Sequence, residues 1–150
     1  MPAFSGKYYY TLDSKGRLIV PSSFREIISA NYSPRLYITN SPSEKCLHIY
    51  PLEEWSRLEE KVRALPKMNE HVRFFMRRVI ASAVEIEMDK QGRVLIPSAH
   101  RQDAEVNSEV VIVGQIEKIE IWDKKLWEGV TDPSLIDRKA LEATLSDFGL

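Results

Sequence analysis

Two short stretches carry the residue types from which an anion-reading site is made: Asp13-Ser14-Lys15-Gly16-Arg17 and Asp89-Lys90-Gln91-Gly92-Arg93. In each, an Asp can accept backbone N–H bonds at the entry of a turn, and a Gly supplies the positive φ that closes it. The arginine is what the turn alone does not need. Four residues after a carboxylate it can pair with, a guanidinium can be held in one pose and offered to a phosphate or to a guanine edge. A single copy of such a pattern reads equally well as a structural turn with an Asp–Arg pair. Its recurrence weighs against that, because turn geometry asks for the arginine in neither copy.

The recurrence extends beyond the turns. Leu12-Asp13-x-x-Gly16-Arg17-Leu18-Ile19-Val20-Pro21-Ser22 aligns with Met88-Asp89-x-x-Gly92-Arg93-Val94-Leu95-Ile96-Pro97-Ser98, and Arg25 and Arg101 keep the same offset. Leu47-His48-Ile49-Tyr50-Pro51 leading to Trp55 resembles Ile119-Glu120-Ile121-Trp122-Asp123 leading to Trp127. The chain therefore consists of two copies of one small unit. We divide it at residues 1–66 and 67–130, with 131–150 as an appended helical tail. A half of roughly 70 residues is marginal for an independent core, so the halves are expected to pack on each other and on neighbouring chains.

The elements that must position the turns follow from pattern. Tyr8 to Leu12 and Leu18 to Val20 read as strands flanking the first turn, with Pro21 ending the ladder. Ser23-Phe24-Arg25-Glu26 has the form of a capping box, predicting a short helix toward Ala30. Arg35 to Thr39 and Cys46 to Tyr50 read as a hairpin around Asn40-Ser41-Pro42-Ser43. Pro51 is placed to open a helix whose Leu52, Trp55, Leu58, Val62 and Leu65 recur at helical spacing. A further helix is predicted from about Asn69, with Val72, Phe75, Met76, Val79, Ile80 and Ala83 on one stripe. Arg73 and Arg77 form a like-charge i, i+4 pair there, so an acidic partner is expected nearby, either DNA or carboxylates of the protein.

The second unit repeats the plan: strands over 84–88 and 94–96, a helix after Ser98, strands over 109–113 and 118–122, and Asp123 as N-cap of a helix containing Leu126 and Trp127. Beyond Thr131, Leu135, Ile136, Ala140, Leu141 and Leu145 predict an amphipathic helix ending near Gly149.

Composition narrows the function. Of 150 residues, 43% are hydrophobic and 29% charged, as in a globular protein. There is no apolar run of membrane-spanning length and no signal-peptide pattern, which predicts a cytoplasmic protein without membrane attachment. The formal net charge of −1 conceals an uneven distribution. Residues 1–55 hold six Lys/Arg against five Asp/Glu, residues 56–80 seven against three, and residues 81–150 eight against fourteen. A polyanion responds to local potential, so a basic face remains available to it. Cys46, the single cysteine, excludes an intrachain disulfide and reads as a small core residue. His48, His71 and His100 fall on different elements with no metal-ligand spacing, so neither metal nor cofactor is implied. Asp13 and Asp89 each stand beside an arginine, which suits an orienting partner better than a general acid, and no nucleotide-binding or nucleophile motif is present. An enzyme reading finds no residues to carry it.

Phe4-x-Gly6 … Leu12-Asp13-x-Lys15-Gly16-Arg17 … Pro21-x-x-Phe24-Arg25, together with Arg73-x-Phe75-x-Arg77 … Ala83-x-Glu85-x-x-x-Asp89-x-Gln91-Gly92-Arg93 … Ile96-Pro97, resembles the bacterial MraZ family of transcriptional regulators of the division and cell-wall gene cluster. The chain departs from the family pattern at Ile80, Ser82 and His100. The resemblance implies an α+β fold with two swapped-hairpin halves of the SpoVT/AbrB type sharing a barrel-like core flanked by helices, ring-like homo-oligomers, and contact with double-stranded DNA through the doubled motif. Arg17 and Arg93 are then expected to read DNA, and Asp13 and Asp89 to hold their poses. Lys15, Arg25 and Arg101 would contact phosphate or brace the turns, which Gly16 and Gly92 form. A ring presents its turns in one sense, so the operator is expected to hold direct repeats. The alternative is an oligomeric protein-interaction module of the same fold without specific DNA binding.

Overall fold

The computed structural model describes residues 2–150 and shows a mixed α+β protein whose strands are all paired antiparallel. The first unit contributes β1 (Lys7–Thr11), β2 (Arg17–Ile19), α1 (Ser22–Asn31), β3 (Arg35–Asn40), β4 (Leu47–Pro51) and α2 (Leu52–Arg63). After α3 (Glu70–Phe75) and a π-helical turn over Met76–Ile80, the second unit supplies β5 (Val84–Glu87), β6 (Arg93–Leu95), α4 (Ser98–Asp103), β7 (Glu109–Gln115), β8 (Lys118–Asp123) and α5 (Lys124–Trp127). A 3-10 turn over Pro133–Leu135 and α6 (Arg138–Asp147) complete the chain.

Each unit gives its first strand to the other. The six-stranded sheet runs β1-β7-β8-β4-β3-β5, so β1 extends the second unit's hairpin and β5 extends the first unit's. The register places Tyr9 opposite Val111 and Tyr37 opposite Glu85. β4 and β8 meet at the centre, with His48 opposite Glu120. A separate ribbon pairs β2 with β6. The sheet does not close on itself: β1 and β5 remain its edges. The barrel-like core is thus seen only as this open sheet with the ribbon laid against one face.

That face holds the main core. Leu18 and Val94, the inward residues of the ribbon, pack with Leu36, Ile38, Leu47, Ile49, Ile112 and Ile121 of the sheet and with Phe24 and Ile28 of α1. Period-two alternation explains why Ile112 lies here while Val111 and Val113 lie on the opposite face with Cys46, Trp122 and Trp127. Losing a buried aliphatic such as Leu18 to alanine costs about 2–5 kcal/mol and would weaken the packing of the ribbon on the sheet.

Local details depart from the sequence expectations. Pro21 occupies the N-cap of α1 and no side chain caps it, so the Ser23–Glu26 capping box does not form; Ser23 Oγ instead meets the Tyr8 hydroxyl at 2.7 Å. Proline's fixed φ places its own carbonyl to accept from Phe24 and Arg25, which leaves the box without its usual role. The helical stripe from Asn69 breaks into π geometry after Phe75, with Ala81 N–H donating to the Met76 carbonyl at 2.9 Å. This wider turn frees the Val79 carbonyl for Thr39 Oγ1 and lets Arg78 reach the Ser41 carbonyl at 2.8 Å. Leu135 and Ile136 precede α6, and the helix is exposed except at Leu145, which is half-buried.

Candidate nucleic-acid interface

Both turns close as their residue types dictate. Gly16 and Gly92 take φ of +81° and +77°, and their amides donate to the Asp13 and Asp89 carbonyls at 3.0 Å each. One carboxylate oxygen of Asp13 accepts from the amides of Lys15 and Arg17, both at 2.9 Å, and its other oxygen accepts from Arg17 Nε at 2.6 Å. Asp89 repeats this with Gln91 and Arg93 amides at 2.9 Å and Arg93 Nε at 2.8 Å. The Arg17 amide and side chain hold the Asp13 carboxyl down at about 2, although its partial desolvation opposes this. Asp89 is lowered for the same reason by Arg93. Each carboxylate is therefore a permanent anion that fixes its arginine, a task different from proton transfer.

The β2–β6 ribbon brings the two copies together. Arg17 pairs across from Leu95 and Ile19 from Arg93, while Leu18 and Val94 point into the core. Alternation leaves Arg17, Ile19, Arg93 and Leu95 on the outer face, with Ile19 39% and Leu95 53% exposed. Two arginines thus lie on one diagonal of the ribbon and two apolar side chains on the other. Arg93 Nη1 also comes within 3.9 Å of Asp13, linking the turns. The copies differ in one respect: Arg93 Nη2 donates to Gln91 Oε1 at 2.5 Å, whereas the terminal nitrogens of Arg17 have no such bond among the described residues. Arg17 thus has the less engaged guanidinium of the two.

The remaining cations divide. Lys15 and Lys90 are exposed at the turn tips. Arg25 and Arg101 each lie against the turn of the other unit. Arg101 Cζ is 2.8 Å from where a β-carbon on Gly16 would sit, and Arg25 Cδ is 2.8 Å from the same point on Gly92. The Gly92 and Gly16 carbonyls accept from the Val20 and Ile96 amides, both at 2.9 Å, so each turn is tied to the opposite unit through backbone as well. The turns and these flanking residues carry six cations, Lys15, Arg17, Arg25, Lys90, Arg93 and Arg101, against the carboxylates of Asp13 and Asp89.

The sequence did not reveal Ile19 and Leu95 as surface residues, because an apolar residue in a three-residue strand reads as core until the partner strand is known. The basic helix also resolves differently from its expectation. Arg78 forms a two-pronged ion pair with Asp103 of α4, at 2.9 and 2.7 Å. Arg73 donates to the Met68 carbonyl and Arg77 is exposed; neither has an ion pair among the described residues. Two departures from the family pattern meet each other: His100 Nε2 lies 2.7 Å from the Ser82 carbonyl.

Site and fold define a tandem-repeat protein whose two units exchange their first strands and bring paired Asp–Arg turns together on one short ribbon. The family described as "MraZ protein, putative antitoxin-like" matches residues 3–78 and again 79–148, and the chain belongs to it. Similar relatives are named "Transcriptional regulator MraZ". That of Halothermothrix orenii is 38% identical over 147 residues, covering 98% of this chain and 99% of the relative. That of Pediococcus pentosaceus is 40% identical over 147 residues with the same coverage. That of Desulfitobacterium hafniense is 44% identical over 124 residues, 83% of each chain.

Proposed function

We propose that this protein is a sequence-specific DNA-binding transcriptional regulator of the bacterial cell-division and cell-wall gene cluster, reading direct repeats with its Asp-x-x-x-Arg turns. The observation that carries the reading is the outer face of the β2–β6 ribbon, where Arg17 and Arg93 are each fixed by a carboxylate and share the surface with Ile19 and Leu95. A two-stranded ribbon fits the major groove of B-DNA, whose guanine edges match arginine forks and whose thymine methyls match apolar side chains. Lys15 and Lys90 at the tips suit flanking phosphates. Arg25 and Arg101 act chiefly as braces, lying over the glycines that shape the turns.

The exchange of β1 and β5 between units supports the swapped-hairpin reading of the SpoVT/AbrB type, with residues 1–66 and 67–130 as the repeated units and 131–150 as a tail. Because one chain already contains both partners of the exchange, assembly into a homo-oligomer is free to be head to tail and to close as a ring. Such a regulator works in the cytoplasm, at the nucleoid; none of the described helices is long and apolar enough to cross a membrane. The test is a binding isotherm on upstream DNA of that gene cluster over a range of salt. Log K should fall with log[salt] by about 0.9 per phosphate neutralised, and specific DNA should be preferred over scrambled DNA at every salt concentration. A protein-interaction module of this fold would show no such preference.

A further inference from the structure

On the sheet face opposite the ribbon, three metal-ligating groups converge that the DNA-reading account does not use. Cys46, just before β4, and His48 within it stand two residues apart and share a face, and Glu120 is opposite His48 on β8. One donor atom from each lies within 4.8 Å of both others. Cys46 is fully buried and His48 is 5% exposed. The His48 Nε2 atom has no hydrogen-bond partner, and its 3.5 Å approach to Glu120 Oε2 is too long to supply a good one. Glu120 Oε1 is held by Trp122 Nε1 at 3.0 Å, which leaves Oε2 turned to the other two donors. A buried imidazole nitrogen without a good hydrogen bond is costly, and here it has only a long contact to the Glu120 carboxylate, with the Cys46 thiol nearby.

We propose that Cys46, His48 and Glu120 form a site for a borderline divalent transition metal of the zinc class, at the seam where the two units join. The donor set of one sulfur, one imidazole and one carboxylate is that of zinc sites, not of the all-oxygen sites of magnesium or calcium. Tetrahedral ligands at ordinary zinc distances stand roughly 3.4–3.6 Å apart, so the His48–Glu120 separation of 3.5 Å already fits, and the thiol, within 4.8 Å of both, would have to close in as the ion binds. The Trp122 N–H orients the carboxylate as outer hydrogen bonds do in metal sites, and the partly exposed side of Glu120 gives the ion an entry path. Coordination replaces the Cys46 S–H bond by a sulfur–metal bond and releases the proton to solvent. Three protein ligands leave a fourth position for water. The ion would clamp β4 of the first unit to β8 of the second. No spacing along the sequence reveals this group, because its third member comes from the other unit.

The test is titration of the chelator-stripped full chain with Co²⁺, then with Zn²⁺. One equivalent of Co²⁺ should produce thiolate-to-cobalt charge-transfer absorption that Zn²⁺ abolishes, and Cys46→Ser should lack the band. His48→Gln and Glu120→Gln should each weaken Zn²⁺ binding at least tenfold in chelator competition, with unchanged circular dichroism. Absence of the band in the wild-type protein at tenfold excess Co²⁺ would overturn the site, and this holds even if a variant fails to fold. So would Zn²⁺ affinity unchanged in both the His48 and Glu120 variants, since the ion would then sit elsewhere, for example at exposed His71 and Glu70.

Discussion

Arg25 of the first unit lies across Gly92 of the second, its Cδ 2.8 Å from the point a β-carbon on that glycine would occupy. Arg101 and Gly16 make the reciprocal arrangement. Each glycine is therefore required twice over, for its positive φ and for the space above it. Gly16→Val and Gly92→Val should destabilise the fold strongly, because a β-branched residue is a severe outlier at these φ values and also strikes an arginine braced from the opposite unit. Thermal melts check this: a drop is expected in both variants, and unchanged melting in both would contradict the turn geometry.

Arg78 and Asp103 connect the π-helical turn to α4, and Asp103 is held below the usual carboxylate range chiefly by the hydrogen bonds from Arg78. With both side chains about a quarter exposed, Arg78→Ala should cost about 1–2 kcal/mol of stability. DNA affinity of the folded variant should remain that of the wild type. Chemical denaturation paired with a binding isotherm separates the two quantities; weaker DNA binding at full stability would assign Arg78 to the interface instead.

Asp13 provides a pH signature. Its carboxyl is held at about 2, below its ordinary 3.8, by the Arg17 amide and side chain. A depressed carboxyl pKa contributes stability that is present above about pH 4 and lost as pH falls through about 2. The melting difference between the wild type and Asp13→Asn should therefore be constant from pH 7 to 5 and shrink toward zero by about pH 2. A difference that vanished near neutrality would mean that the carboxylate does not hold Arg17.

The sequence revealed the doubled turn, the tandem plan, the order of all eight strands and the Asp123 cap, because repeats and local periodicity are properties of neighbouring residues. Strand partners are not. Nothing in the alternation of Tyr8 to Leu12 says that β1 pairs with β7 instead of a strand of its own unit, and the exposure of Ile19 and Leu95 and the meeting of His48 with Glu120 likewise follow from the β2–β6 and β4–β8 pairings between units, while Arg25 and Arg101 brace turns of the opposite unit. The capping box failed for a local reason, since Pro21 had already taken the cap position.

The ring assembly proposed for this chain would constrain the operator. Head-to-tail subunits present their ribbons in the same sense, so the bound DNA should carry direct repeats spaced near one helical turn, about 10 base pairs. Shifting one repeat by half a turn while preserving its sequence should remove much of the affinity, because effective concentration is lost when the sites cannot be engaged together. A footprint centred on a palindrome would contradict the assembly.

DNA reading as proposed depends most on Arg17, whose Nε is fixed by Asp13 and whose terminal nitrogens make no hydrogen bond among the described residues. The decisive measurement compares wild type, Arg17→Ala and Arg93→Ala on operator and scrambled DNA at one salt concentration, with melting temperatures taken alongside. Arg17→Ala should lose about 1–3 kcal/mol per engaged contact on operator DNA and most of the preference over scrambled DNA, with melting near the wild type. Arg93→Ala should lose less, since Gln91 already occupies part of its fork. Operator binding and preference unchanged in both variants would contradict the claim that these turns read DNA.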